Sequence, residues 1–164
     1  MSRCTTERTP SHSTTISSKG LEKLQVKRVL RILLIILTAF LALTAIAGGI
    51  GLLTGMNAPS IELLKGSPFK DYTIPGLALL VIVGGGALVA TILLLRRHPS
   101  GVLASGAAGA VIIGFEIVEV LVIGSQPGIA RNLQVFYFTL GLLILLLAAA
   151  LWATEHRAAV STPG

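Results

Sequence analysis

Between Val29 and Ala153 the sequence breaks into four apolar blocks, 29–53, 75–95, 101–123 and 134–153. Arg31, Glu116 and Glu119 are their only charged residues. At 1.5 Å per residue a helix of each block's length covers about 30 Å, the thickness of a bilayer's hydrocarbon core. The apolar residues run as continuous blocks and do not form the stripes of helices packed in a water-soluble domain. Composition agrees: 12% of the 164 residues are charged, against about 25% in soluble domains, and the mean hydropathy is +0.85. The expected fold class is all-α, an integral membrane four-helix bundle with antiparallel neighbours.

The segments between and around the blocks give the organisation. Residues 1–18 are rich in Ser and Thr with little apolar content, and a disordered tail is expected. From 19 to 31, Lys19, Lys23, Lys27, Arg28 and Arg31 alternate with Leu21, Leu24, Val26 and Leu30. This pattern predicts a basic helix at the level of anionic lipid headgroups, running on into the first span. The apolar run ending in Ala45-Ile46-Ala47 loosely resembles a cleavable signal. Both the run and the segment before it are too long, since signal cores are about 7–15 residues. A loop at 54–74 is expected to hold a short helix at 61–65, with Pro59 before it and Gly66 after it. Pro75 then opens the second span. The transmembrane domain is thus taken as 19–153, followed by a polar tail at 154–164.

Basic residues predict orientation. Ten of the 13 Lys and Arg lie in the termini and the Arg96-Arg97-His98-Pro99 turn, and only Lys65, Lys70 and Arg131 lie on the opposite side. The positive-inside rule places both termini and that turn in the cytoplasm, with Arg96 and Arg97 at the headgroups. Phe69, Tyr72, Phe136 and Tyr137 near the outer boundary, and Trp152 near the inner one, fit an aromatic belt. The net charge of +6 forms no basic groove with interleaved aromatics, so nucleic acid is not an expected partner. Cys4 is the single cysteine and supports no intrachain disulfide or thiolate metal site. His98 reads as a snorkelling polar residue in its turn.

Helices in lipid associate through close packing, so small residues are expected at their interfaces. The third block supplies Ser105 with Gly109, Gly106 with Ala110, and Ala110 with Gly114. Gly86 with Ala90 in the second block, and Ala45 with Gly49 in the first, add to these. On this count the third span is the expected central helix. Gly84-Gly85-Gly86 lacks the lysine and the strand–loop–helix setting of a phosphate loop and reads as packing or flexibility.

Glu116 and Glu119 are the candidates for chemistry. Measured from a midpoint near Ile112, they lie about 6 Å and 10 Å toward the outside. A charge that deep costs at least about 2.5 kcal/mol, so such groups turn toward the bundle interior or a wet cavity. Three-residue spacing puts both carboxylates on one face. Close carboxylates repel, so one is expected to hold a proton, which suits a relay. Two carboxylates without histidine are too few for a metal site, and no nucleophile or oxyanion donor accompanies them. A structural alternative pairs Glu119 with Arg131 or Lys70 and leaves Glu116 hydrogen-bonded between helices. Lys70, Asp71, Tyr72 and Arg131 form a candidate polar cluster at the outer mouth.

The stretch Gly66-Ser67-Pro68-Phe69-Lys70-Asp71-Tyr72-Thr73-Ile74-Pro75-Gly76, with Phe115-Glu116-Ile117-Val118-Glu119-Val120, resembles small bacterial four-span membrane proteins of uncharacterised role. The similarity covers about residues 30–153 and implies four spans in a bacterial inner (plasma) membrane, without bringing an activity. A looser similarity is to small multidrug exporters, whose essential glutamate lies in the first span, where this chain has none. The expected function is that of a non-enzymatic multi-pass membrane protein, a subunit or interaction partner, with no cofactor. The alternative is a small oligomeric proton- or cation-coupled transporter using Glu116 and Glu119. Expected partners are the lipid bilayer with its anionic headgroups and either a second copy or another membrane protein.

Overall fold

The structure, a computed structural model, describes residues 18–56, 58, 60–65, 68–124 and 128–160. The expected disordered tail, Cys4, Pro59 and Gly66 lie outside them, as do the side chains of Lys19 and Lys23. The described chain is built from four long helices: α1 (Ser18–Thr54), α2 (Thr73–Leu95), α3 (Gly101–Ile123) and α4 (Ile129–Val160). All four are long and apolar enough to cross a membrane. The chain reverses at each connection, so both ends and the Arg96–Ser100 turn share one end of the bundle, here the tail end. Residues 60–65 and 68–72, the end of α3 and the start of α4 share the other, the loop end.

Three boundaries differ from those expected. α2 starts at Thr73, two residues before Pro75: its N-cap, Tyr72, makes no side-chain capping bond, and the Asp71 carboxylate just ahead of it accepts from the Thr73 N–H at 2.9 Å, satisfying the first free donor of the opening turn. Pro75 then occupies that turn, where its missing N–H is harmless. α4 starts at Ile129 and not Gln134, directly after Gly128, whose φ of 97° breaks the helical path. It also runs to Val160, through the expected tail, because Glu155, Arg157, Ala158 and Ala159 are good helix formers that extend an existing helix at little cost. The short helix in the loop is a single 3₁₀ turn, Ile61–Leu64, with the Ser60 hydroxyl accepting from the Glu62 N–H.

α2 is irregular. A regular turn, Thr73–Leu77, leads into eight residues of wider π-helix, Ala78–Gly85, before the α-helix resumes over Gly86–Leu95. At its end the His98 N–H reaches the Leu93 carbonyl and the Arg97 N–H reaches that of Leu94. This closure requires a left-handed residue, and Arg97 takes that role at φ 53° where glycine is usual.

The helices form a square. α1 packs on α2 and α4, α3 packs on α2 and α4, and the diagonal α1–α3 contact is slight. The expectation of a central α3 is therefore corrected: short connections make successive helices neighbours, and α4 closes back on α1. Leu34, Leu41, Leu94, Ile112, Ile144 and Leu151 fill the interior.

Two seams rest on glycine. A Cβ at Gly109 would lie 2.8 Å from the Gly141 carbonyl, and one at Gly141 would lie 2.6 Å from the Ile112 side chain. α3 and α4 thus touch backbone to backbone. A Cβ at Gly49 would meet Leu80 at 2.7 Å and the Gly76 carbonyl at 2.9 Å, and one at Gly84 would meet Ile46 at 2.7 Å, so α1 and α2 do the same. Ser105 and Ala90 are fully buried, and Gly106 approaches Ala148. Gly86, Ala110 and Gly114 are exposed, which corrects their assignment to packing within one chain.

Polar links tie the helices across. Thr38 on α1 donates to the Leu34 carbonyl and accepts from Thr91 on α2 at 2.9 Å, both hydroxyls being buried. Arg31 pairs with Glu155 at 3.1 Å, joining α1 to α4 at the tail end. Arg31 was expected at lipid headgroups; its guanidinium is instead engaged within the chain, because α4 is long enough to carry a carboxylate to it. Lys27 is half-buried, while Arg28, Arg96 and Arg97 are exposed. Phe136 on α4 meets Phe40 edge to face at 6.0 Å.

Gly141→Val should destabilise the purified protein by about 1–3 kcal/mol, the usual cost of overpacking. Gly86→Val should cost far less, since a Cβ there meets nothing within 4 Å. Thermal unfolding in detergent compares the two, and equal losses would contradict the α3–α4 contact.

Candidate functional site

Near the loop end α3 carries two carboxylates one turn apart. Glu116 is 5% exposed, and Glu119 is half-buried. From α4 comes Gln134, 8% exposed, whose Nε2 donates to Glu119 Oε1 at 3.2 Å. α4 brings Gln134 here because it begins five residues before it and adds more than a turn of helix above the apolar block.

Acceptors outnumber donors at this point. A carboxylate offers about four lone-pair positions, and among the described residues the amide of Gln134 is the one donor bonding to either. Glu116 Oε2 and Gln134 Oε1 are both buried with no hydrogen-bond partner among the described residues. A buried acceptor without a donor costs about 1–3 kcal/mol, and more if it is charged. Among the described residues the ion pairs are Arg31–Glu155 and Lys65–Glu62, so neither Arg131 nor Lys70 comes within 4.0 Å of Glu119. The expected pairing of Glu119 with one of these cations is thus replaced by a hydrogen bond from Gln134.

Two cavities are lined by the carboxylates, one by each. One, of about 310 Å³, lies between α2, α3 and the loop, and Glu119 and Tyr72 line it. The other is an open groove of about 330 Å³ between α3 and α4, lined by Glu116, Gln134, Arg131 and Phe138 among others. Glu116 and Glu119 therefore open on different sides of α3.

The candidate outer cluster is divided by this arrangement. Tyr72 is buried, donates its hydroxyl to the Ser60 carbonyl at 3.3 Å, and faces the same cavity as Glu119. Burial, and secondarily the negative charge of Glu119, push the Tyr72 phenol above its ordinary value. Arg131 is exposed on the groove that Glu116 lines. Lys70 and Asp71 are exposed, and the hydrogen bond from the Thr73 N–H holds the Asp71 carboxyl below its usual range. The main participant that sequence reasoning missed is Gln134, which read only as the first residue of a span. A polar amide inside the boundary of an apolar block was the available signal.

Among the described residues no group of three or more His, Cys, Asp or Glu side chains is placed to hold a metal ion. No protein-family model, curated protein or solved structure matches the chain.

Gln134→Leu removes the donor from Glu119 and is expected to cost about 1–3 kcal/mol of stability. Adding Glu119→Leu should restore much of that loss, since both polar partners are then gone. Unfolding of the single and double variants in detergent checks this, and simple additivity would contradict the hydrogen bond.

Proposed function

We propose that the chain is a non-enzymatic multi-pass protein of a bacterial inner membrane that exchanges protons at the Glu116–Glu119–Gln134 cluster to drive or accompany transport. The observation that carries this reading is Glu116, buried between helices with Oε2 lacking a donor and no cationic side chain in ion-pair reach among the described residues. A proton on the carboxyl supplies the missing donor. Its departure leaves an uncompensated charge, which a cation or a rearranged neighbour must balance. The groups that would feel this charge are Glu119 on α3 and Arg131 and Gln134 on α4, which share the groove or the helix with Glu116; Tyr72, before α2, lies with Glu119 in the other cavity. α1 contributes no ionisable side chain between Ile32 and Thr54.

The four apolar helices support membrane residence. The excess of Lys and Arg at the tail end supports cytoplasmic termini, with the carboxylates toward the outer face. The Gly66–Gly76 loop and its resemblance support a bacterial inner membrane. Four helices are few for a complete pathway in one chain, so the working unit is taken to be an oligomer.

A second reading, a subunit or interaction partner, is favoured by the exposed Gly86, Ala110 and Gly114. Small residues left uncovered allow another helix to approach closely.

Proteoliposomes holding a trapped pH dye test the proton reading under an imposed potassium diffusion potential. The wild-type chain should acidify or alkalinise the lumen faster than empty vesicles. Glu116→Gln should lose about 90% of that rate at unchanged yield and reconstitution, in keeping with loss of an essential proton carrier. Flux indifferent to Glu116→Gln, or wild-type flux equal to that of empty vesicles, would overturn it.

A further inference from the structure

The cavity between α2 and α3 has a donor–acceptor balance that specifies what can occupy it. Its walls are apolar, with Leu79, Ile82 and Val83 from α2 facing Val111, Phe115 and Val118 from α3. The π-helical stretch of α2 supplies much of one wall. Its polar lining comes from Glu119 and Tyr72. The hydroxyl proton of Tyr72 is directed at the Ser60 carbonyl, so its oxygen has only lone pairs left to offer. Glu119 already accepts from Gln134 and retains further acceptor positions. No Lys or Arg among the described residues lies within 4.0 Å of its carboxylate.

A ligand here must therefore bring donors and, against an ionised Glu119, positive charge. Carboxylates, phosphates and quinones offer acceptors only and are mismatched. Small-molecule sites are about 300–1,000 Å³ and mainly apolar with few polar groups, and 310 Å³ falls at the lower bound. At about 30 Å³ per water-sized group the space holds roughly ten non-hydrogen atoms. Ile74, Ile82 and Val118, which line the cavity, are each half or more exposed on the bundle surface, so access runs sideways between α2 and α3.

We propose that this cavity binds a small amphipathic primary amine, its ammonium group at Glu119 and Tyr72 and its hydrocarbon body along the π-helical wall of α2. The ammonium provides three donors and one charge where the polar side chains described in the lining, Glu119 and Tyr72, provide acceptors. A hydrocarbon of eight or so carbons, on the atom count above, fills the rest. The proposal rests on the helices lying in a bilayer, as in the reading above, and not on proton flux through Glu116.

Equilibrium dialysis of radiolabelled n-octylammonium against the full chain in lipid nanodiscs, with empty nanodiscs subtracted, tests it. Saturable binding is expected, displaced by unlabelled octylammonium but not by octanol or octanoate. Glu119→Gln should weaken it by about tenfold or more, the loss of a charge-assisted contact. Gly114→Leu provides the control for folding. A Cβ at Gly114, which lines the cavity, meets nothing within 4 Å, so a larger side chain has open space and should block binding with the thermal unfolding midpoint retained. Glu116→Gln should leave amine binding within about threefold even if it abolishes proton flux, which separates this proposal from the proton reading. Absence of saturable binding, equal competition by octanol, or binding unaffected by both Glu119→Gln and Gly114→Leu would overturn it.

Discussion

A polar group surrounded by hydrocarbon can bond only to the protein, and most of this structure follows from that constraint. Helices satisfy it for the backbone, since every interior N–H and C=O is paired within its own segment. Hydroxyls satisfy it locally. Thr38, Thr44, Thr54, Thr91, Ser105 and Thr139 each lie within hydrogen-bond distance of the carbonyl four residues earlier. Charges satisfy it by pairing or by position, as with Arg31 and Glu155 at the tail end. Among the described residues the exceptions are Glu116 Oε2 and Gln134 Oε1, both in the lining of one groove. That concentration of unmet hydrogen bonding is the basis of the proposed proton-exchange role.

Close packing decides where space remains. Gly109 and Gly141 bring α3 and α4 into backbone contact, and Gly49, Gly76 and Gly84 do so for α1 and α2. The bundle is therefore two tight pairs. α2 and α3 meet closely at the tail end, where a Cβ on Gly101 would lie 3.0 Å from the Leu94 nitrogen. Toward the loop end the same two helices enclose the 310 Å³ cavity. The wider π-helical stretch of α2 falls at this point, as such segments often do at functional sites. Packing and chemistry thus converge on the same third of the molecule.

Much of this was legible in the sequence because hydrophobic length is a strong signal: four blocks became four helices. The expectation that both carboxylates share one face of α3 is corrected, since Glu119 lines the α2–α3 cavity and Glu116 the α3–α4 groove. The rest depended on tertiary position. Gly109 could be read from its small neighbours, but Gly141 stands alone in a leucine-rich run, and only its partner across the seam explains it. Arg31 reads as a headgroup ligand until α4 is seen to continue past Ala153 and deliver Glu155. Gln134 lies 15 residues from Glu119, and no periodicity links them. Lys70, Asp71, Tyr72 and Arg131 read as one outer cluster, yet Tyr72 lines the Glu119 cavity, Arg131 the Glu116 groove, and Lys70 and Asp71 are exposed, a division set by the helix arrangement and not by sequence order.

The central claim is that Glu116 exchanges a proton in a buried, donor-poor setting. Infrared difference spectroscopy of the reconstituted protein across pH, comparing wild type with Glu116→Gln and Glu119→Gln, tests it most directly. The account predicts a carboxylic-acid carbonyl band that changes with pH, is abolished by Glu116→Gln, and is shifted but retained in Glu119→Gln. A spectrum with no pH-dependent carboxylic-acid band, or one indifferent to Glu116→Gln, would contradict the account and leave Glu116 a structural element of the α3–α4 seam.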